Sequence, residues 1–415
     1  MWSGPEGDPG VVSFGKTSSA FCLFRVEGDQ DNVRLYVYNP YTAGHFWIDS
    51  RDTGPVEAAE VRPGPKPPNL NCADAVYDPS LPVPAASTPR TTPATTSTPA
   101  PEVRLGQPLV LALYYPWYDL NTWESGETAD LPSVPYQSSE QATVARQVAW
   151  AREAGIDVLA SAWFGPRDNN PTEANFTQLL LEAQRAGMRA ALLLETDSNE
   201  FFPDRAALVR ALRHALDTHG NQPAYLRVDG RPVILVWNPK SVFGADGQRI
   251  NAKNAAAVRA WTSLLDEVDP QRRAFWVAEG DFFDLLTVFD GIFPYSVAWS
   301  ADPASQLAGY GQTVRNRAAA LGERKVWAAT AMPGYDDTRI DGRAGTFAVP
   351  RQDGDYYQRT FAGAIASRPD WVVITSFNEW VEGTQIEPAQ SYGRRYLDLT
   401  RTLADAFKRG ANDSP

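Results

Sequence analysis

The sequence predicts an α/β protein: a (β/α)8 TIM barrel preceded by a small disulfide-stapled β domain and a Pro/Thr-rich linker. Three observations carry this. Beyond residue 103, short apolar runs alternate with amphipathic stretches eight times, the pattern of parallel strands joined by crossover helices. From 82 to 101 the chain holds six prolines, six threonines and two serines, a composition that buries no core and favours extended polyproline-like conformers. Both cysteines, Cys22 and Cys72, fall before that segment.

Taken in order, the runs 21–26, 33–38 and 46–49 are rich in aromatic and β-branched residues and are separated by Gly, Asp and Asn, which reads as a set of short strands. With one Cys22–Cys72 disulfide they make a β domain over 1–81. Its Tyr36, Tyr38, Tyr41 and Trp47 are either core or a sugar-binding platform. The linker follows at 82–103, and the barrel occupies 104–411. Its strands are expected at 109–115, 156–163, 189–195, 232–237, 274–278, 289–293, 325–330 and 371–377. Helices are expected from Ser139 to Gly155, from Thr172 to Gly187, after Pro203, and over 251–268, 303–321, 355–367 and 392–408, with a stunted one near 281–287.

Charge and composition remove several function classes. Lysine plus arginine give 38 and aspartate plus glutamate 50, so 38 − 50 = −12, a surface that repels nucleic acid and anionic lipid. No apolar run of membrane-spanning length occurs, so no membrane insertion is expected. Three histidines and two cysteines leave little for a metal centre or a Ser-His-Asp triad, so no cofactor and no metal are expected. His214 and His219 are read as surface residues rather than ligands. The cysteine pair and the threonine-rich linker, whose hydroxyls are plausible O-glycosylation sites, point to an extracellular or cell-surface address. Residues 1–5 read MWSGP and are not a leader. A secreted monomer whose leader is absent from this chain is the expectation.

Catalytic groups of such barrels collect at the carboxyl ends of the strands. There the sequence places Tyr115, Trp117 and Tyr118, then Trp163, Glu195, Trp237, Tyr295, Tyr335 and Asp336, and finally Asn378, Glu379, Trp380 and Glu382. Thirteen tryptophans are more than a core of this size needs. Carboxylates rimmed by aromatic rings are what a carbohydrate cleft requires, the rings stacking on sugar faces while the acids bond hydroxyls and move protons. The sharpest group is FNEWVEGTQIEP, residues 377–388. Glu379 and Glu382 lie three apart, so in an extended strand they would face opposite ways; they share a pocket only if the chain turns, as Gly383 invites. Otherwise they are ordinary acids of a solvated loop. Asp336 and Asp337, likewise, either serve the site or cap a turn.

FNEWVEGTQIEP, together with YYPWY (114–118), AGIDVLASAWFGP (154–166), FDGIFPYS (289–296) and PGYDDTRI (333–340), resembles the endo-α-mannosidase family of glycoside hydrolases, family 99, along about two thirds of the chain. The resemblance implies a (β/α)8 fold and retaining hydrolysis through a 1,2-anhydro sugar. By motif position it makes Glu379 the base that deprotonates the sugar's 2-hydroxyl and Glu382 the acid that protonates the leaving oxygen. Glu195 corresponds to a further acid on the reacting sugar, Tyr295 to a tyrosine beside the anomeric centre, and Trp163 to a stacking residue. Around Glu195 the chain reads LLETD, where the family usually has His before and Pro-Tyr after; residue 381 is Val; and the fourth run ends VWNP. These departures bear on substrate choice more than on catalysis. The implied partner is an oligosaccharide or polysaccharide such as mannan, cut from within the chain. A glycosyltransferase-like barrel of surface-polysaccharide assembly and a catalytically silent glycan-binding protein are the alternatives.

Overall fold

The structure is a computed structural model describing residues 102–167 and 170–412, with side chains as far as 410, and, earlier in the chain, the backbone of the strands Gly10–Phe14, Ser19–Glu27, Arg34–Asn39 and Gly44–Asp49. The chain divides into two compact units, Met1–Pro93 and Ala94–Pro415. In the first, the four strands form an antiparallel meander, each pairing with the next. The Cys22–Cys72 disulfide falls outside the described residues and finds no support among them. The side chains of Tyr36, Tyr38, Tyr41 and Trp47 and nearly all of the linker fall outside them too.

The second unit is a closed barrel of eight parallel strands: β1 Leu109–Tyr114, β2 Val158–Trp163, β3 Arg189–Glu195, β4 Arg231–Trp237, β5 Phe275–Glu279, β6 Gly291–Phe293, β7 Val326–Ala331 and β8 Trp371–Ile374. Each pairs in parallel with its successor, and β8 pairs with β1 to close the ring. Seven helices cover it: α1 Gln141–Glu153, α2 Pro171–Ala186, α3 Arg205–His214, α4 Ala255–Val268, α5 Pro303–Leu321, α6 Asp355–Ala366 and α7 Arg395–Asn412. Between β5 and β6 only the 3-10 turn Phe283–Thr287 fits. Helix starts are set by side-chain caps on orphan amides: Asn170, rather than Thr172, caps α2, Asp204 caps α3 one residue beyond Pro203, and Asn254 caps α4. That helix begins later than 251 because Ser241–Phe243 and Arg249–Asn251 first pair as a hairpin.

Successive side chains on a strand alternate between its two faces, and the alternation sorts the core into two layers. Leu109, Leu111 and Leu113 of β1, Ala160 and Ala162 of β2, and Val233 and Leu235 of β4 pack together inside the barrel. Val110, Ala112 and Tyr114, Leu159 and Trp163, and Ile234 and Val236 face the helices.

A repeated device starts the strands. Asp157, just before β2, accepts from the Val110 backbone N–H of β1 at 2.8 Å. Asp290 before β6 accepts from Trp276 of β5 at 2.8 Å, and Asp370 before β8 from Trp327 of β7 at 3.0 Å. Each also holds a cation: Lys408, Arg231 and Arg324 respectively. These carboxylates satisfy strand amides that no neighbouring strand reaches. Replacing Asp290 by Ala strands the Trp276 amide and leaves Arg231 without its carboxylate partner, holding only the Ala274 carbonyl. We expect a loss of roughly 2–3 kcal/mol in urea unfolding; a loss below ~0.5 kcal/mol, the scale of an ordinary surface change, would refute this role.

Candidate active site

The inward parity of the strands continues to their carboxyl ends. Glu195 ends β3, Trp237 ends β4 and Glu279 ends β5. After β8 the chain folds into a compact loop. The Phe377 N–H donates to the Leu113 carbonyl at 2.8 Å, tying the loop to β1. The Glu379 N–H donates to Ser376 Oγ at 2.6 Å, and the Gly383 N–H to the Trp380 carbonyl at 3.2 Å. Gly383 has φ +61°, and a Cβ there would lie 3.0 Å from the Asp336 backbone. A residue without a side chain is therefore required at this turn, which returns Glu382 to the same hollow as Glu379.

That hollow has a volume of about 180 Å³. Tyr115, Trp117, Glu195, Trp237, Tyr295, Glu379 and Glu382 line it, completed by Val381 and Arg343. Tyr118 donates its hydroxyl to Glu379 Oε1 at 2.8 Å and accepts the Trp380 N–H at 3.0 Å. Tyr295 donates its hydroxyl to Glu382 Oε2 at 2.6 Å, and Arg343 Nη1 donates to Glu382 Oε1 at 2.9 Å. Arg343 is aimed by Asp337, whose carboxylate lies 3.2 Å from its Nε. A wider cleft of about 420 Å³ adjoins, sharing Trp237 and Tyr295 with the hollow.

Burial sets the proton affinities. It holds the Glu379 carboxyl well above the ordinary carboxylate range, with the charges of Glu382 and Glu195 adding to it and the Tyr118 hydrogen bond opposing. Burial, with Glu279, Glu382 and Asp197, pushes Glu195 up to about 8. Burial also raises Glu279, against hydrogen bonds from the Tyr295 and Asn238 backbone. The phenols of Tyr115, Tyr118 and Tyr295 are raised for the same reason and stay protonated donors.

Five other predicted residues lie elsewhere. Trp163 is fully buried on the helix-facing side of β2, because its parity is that of Leu159; it cannot stack on a ligand in the hollow. Asn378 is buried, accepting from the Tyr115 N–H at 2.7 Å and donating to the Tyr115 carbonyl at 3.0 Å, so it positions the β1 end. Trp380 is buried and donates Nε1–H to Glu387 at 3.0 Å. Tyr335 stacks on Phe347 and donates to Asp337. Asp336 caps a turn, accepting from the Thr338 N–H and hydroxyl. The reading of His214 and His219 as surface residues is also corrected: His219 is 2% exposed, and both rings bond to Glu173, because the chain widens into a π turn at Ala215–His219.

Two residues that matter were not singled out. Arg343 comes from a loop with no periodicity to betray it. Glu387, third acid of FNEWVEGTQIEP, was visible in the motif. It is completely buried, accepting from Tyr136, Gln147 and Trp380 at 2.9, 2.7 and 3.0 Å, and burial raises it to about 7.

The model of glycosyl hydrolase family 99 matches residues 110–409. Two curated proteins each share 27% identity over 305 residues, 66% of this chain: a glycoprotein endo-alpha-1,2-mannosidase-like protein of Homo sapiens and a glycoprotein endo-alpha-1,2-mannosidase of Mus musculus. The matches span 63% and 62% of those proteins, so the chain covers less than two thirds of their length. Among solved structures, the GH99 endo-alpha-mannosidase from Bacteroides thetaiotaomicron superposes with a TM-score of 0.60 at 22% identity, over 75% of this chain and 100% of that one; the likeness is one of fold.

A buried carboxyl whose folded pKa exceeds its unfolded value keeps a proton that the unfolded chain releases, so stability falls as pH rises between the two values. For Glu195 that window runs from 4.5 to about 8, and Glu379, Glu279 and Glu387 act in the same direction. Urea unfolding is expected to show declining stability from pH 5 to 8. Glu195→Gln should flatten the decline, gaining on the order of 4 kcal/mol over wild type at pH 8 and little at pH 5; an unchanged slope would contradict the proton on Glu195.

Proposed function

The chain belongs to glycosyl hydrolase family 99, and from that premise we propose that it is a retaining glycoside hydrolase cleaving an α-mannoside or related α-linked glycan from within the chain. The observation that carries the reading is the convergence of Glu379 and Glu382 on one aromatic-walled hollow, with Tyr295 and Arg343 on one of them and Tyr118 on the other. The names of the relatives agree with it. Internal cleavage is favoured by the wider cleft continuing past Trp237 and Tyr295, which offers space for sugars beyond the one being cut.

The reaction runs in two displacements. Ionised Glu379 takes the proton of the 2-hydroxyl, whose oxygen attacks the anomeric carbon from the face opposite the leaving group. The glycosidic C–O bond breaks and its oxygen takes a proton from Glu382. Glu382, now a carboxylate, removes a proton from water; the water oxygen attacks the anomeric carbon, the C1–O2 bond breaks, and O2 recovers its proton from Glu379. Two inversions give net retention. Internal attack requires O2 and the leaving group on opposite faces, as in an α-mannoside, where both are axial.

The chain brings one electrostatic obstacle to this sequence. In the free protein burial favours the proton on Glu379, while Glu382 accepts from Arg343 and Tyr295. Reaction needs the proton on the other acid. Sugar binding favours that exchange, because a 2-hydroxyl donating to Glu379 stabilises its charged form and the glycosidic oxygen accepts from Glu382. The same proposal treats 1–81, 82–103 and 104–411 as a small β domain, a linker and the catalytic domain of an exported enzyme, in keeping with the linker composition.

Two measurements test this. With an α-mannan oligosaccharide, Glu379→Gln and Glu382→Gln should each lower turnover by roughly a hundredfold or more, and an aryl leaving group that needs no protonation should restore aryl release in Glu382→Gln but not in Glu379→Gln. Near-wild-type turnover in both variants would dismiss the mechanism. In wild type, kcat/KM should fall with rising pH as the Glu379–Glu382 pair gives up to solvent the one proton that it must pass to the leaving oxygen, with a midpoint above the ordinary carboxylate range; a midpoint near 4 would show that proton already lost from the free enzyme at neutral pH.

A further inference from the structure

Away from the hollow, one group of His, Asp and Glu side chains with the spacing of metal ligands converges among the described residues: Glu173, His214 and His219. It draws in two of only three histidines in the chain. Glu173 stands in the first turn of α2. His214 ends α3, and the chain continues directly into the π turn Ala215–His219, closed by the Gly220 N–H on the Ala215 carbonyl at 2.8 Å. In an α-helix, residues five apart diverge by about 140°. The wider π turn narrows that divergence, and π turns recur at functional sites. His214 Nε2 lies 2.7 Å from Glu173 Oε1, and His219 Nε2 lies 3.1 and 3.0 Å from its two oxygens.

We propose that these three side chains form a binding site for a divalent cation of the zinc class, on the flank of the barrel and separate from the glycan hollow. Two imidazoles and one carboxylate are a ligand set that zinc accepts, with a fourth position left to water. The ligand atoms all lie within 4.8 Å of one another. Tetrahedral coordination with metal–ligand distances near 2.0–2.1 Å needs the donors ~3.3 Å apart, so the His–Glu contacts, now 2.7 to 3.1 Å, have only to open by a few tenths of an ångström. His214 can supply that movement, since its side chain is 29% exposed, whereas His219, at 2%, is fixed. Phe176 and Trp163 meet the His219 ring edge-on at 5.0 and 6.2 Å, and Trp163 Nε1–H donates to Glu173 Oε2 at 2.7 Å. These contacts orient two of the three ligands from behind. Metal binding needs the Nε2 atoms unprotonated; in His214 the proton moves to Nδ1, which lies 3.4 Å from the Thr218 hydroxyl. The cation would then join the start of α2 to the end of α3 across Trp163.

The test uses the full chain, stripped with chelator and titrated with Zn2+ by calorimetry, and with Co2+ by visible absorption. The expected result is one Zn2+ per chain at micromolar affinity or tighter, with cobalt d–d bands of a nitrogen and oxygen site. His214→Ala, at the most exposed ligand, should weaken binding by at least ~100-fold, the upper end of what losing an outer partner of a ligand costs, while circular dichroism stays unchanged. Glu173→Gln should do the same, and it retains an acceptor for Trp163. Failure to bind at millimolar Zn2+ would overturn the site, leaving the three residues as a hydrogen-bonded cluster that fixes Trp163. So would unchanged affinity in a folded His214→Ala, or a thiolate-to-cobalt charge-transfer band, which would place the metal on Cys22 and Cys72.

Discussion

Closing eight parallel strands into a ring gives each strand side chain only two directions, inward or toward the helices. That constraint places everything else in the barrel. Because Leu193 and Leu235 point inward, so do Glu195 and Trp237 two residues on, at the mouth. Because Leu159 points outward, so does Trp163. Of the aromatics and acids that crowd the strand ends, the pleat thus selects which can meet a ligand, and a one-residue slip would exchange the two sets.

The two central glutamates depend on a second layer of polar groups. A loop carrying a buried carboxyl must satisfy it, since an unpaired charge or hydroxyl in a dry interior costs several kcal/mol. Glu387 is satisfied by Tyr136, Gln147 and Trp380, drawn from three parts of the chain. Asn378 grips both backbone groups of Tyr115. The segment between them is thereby held at both ends, with the Gly383 turn fixing its shape. Glu379 and Glu382 owe their shared hollow to residues that never touch it.

Periodicity made much of this legible. Eight strands and their crossover helices follow from apolar runs and caps, and a turn after Glu379 follows from Gly383. What was not legible is long-range or depends on parity. Trp163 sits at a strand end beside aromatic neighbours, which suggested a stacking role; the same strand, counted back two residues at a time to Leu159, assigns it to the outer layer. Arg343 reaches Glu382 from 39 residues away, and no local pattern marks it. His214 and His219 stand five apart, a spacing that reads as divergent on an α-helix, and only the π turn brings them together.

The acids of the hollow also limit how it can be charged. Glu195, Glu379 and Glu382 face one cation, Arg343, with Glu279 close behind. Full ionisation of the first three would leave two uncompensated negative charges in a hollow that burial has largely dried, an arrangement that costs far more than leaving protons in place. Protons therefore stay on Glu195 and Glu379, and a ligand enters a site already holding the least negative charge it can. A neutral polyol suits those conditions. Its hydroxyls can donate to carboxylates and accept from protonated acids alike, so it can permit one acid to ionise where water-poor surroundings alone would not. The site's capacity for acid–base work and its fit to a sugar then have one origin, the shortage of cations around buried carboxyls.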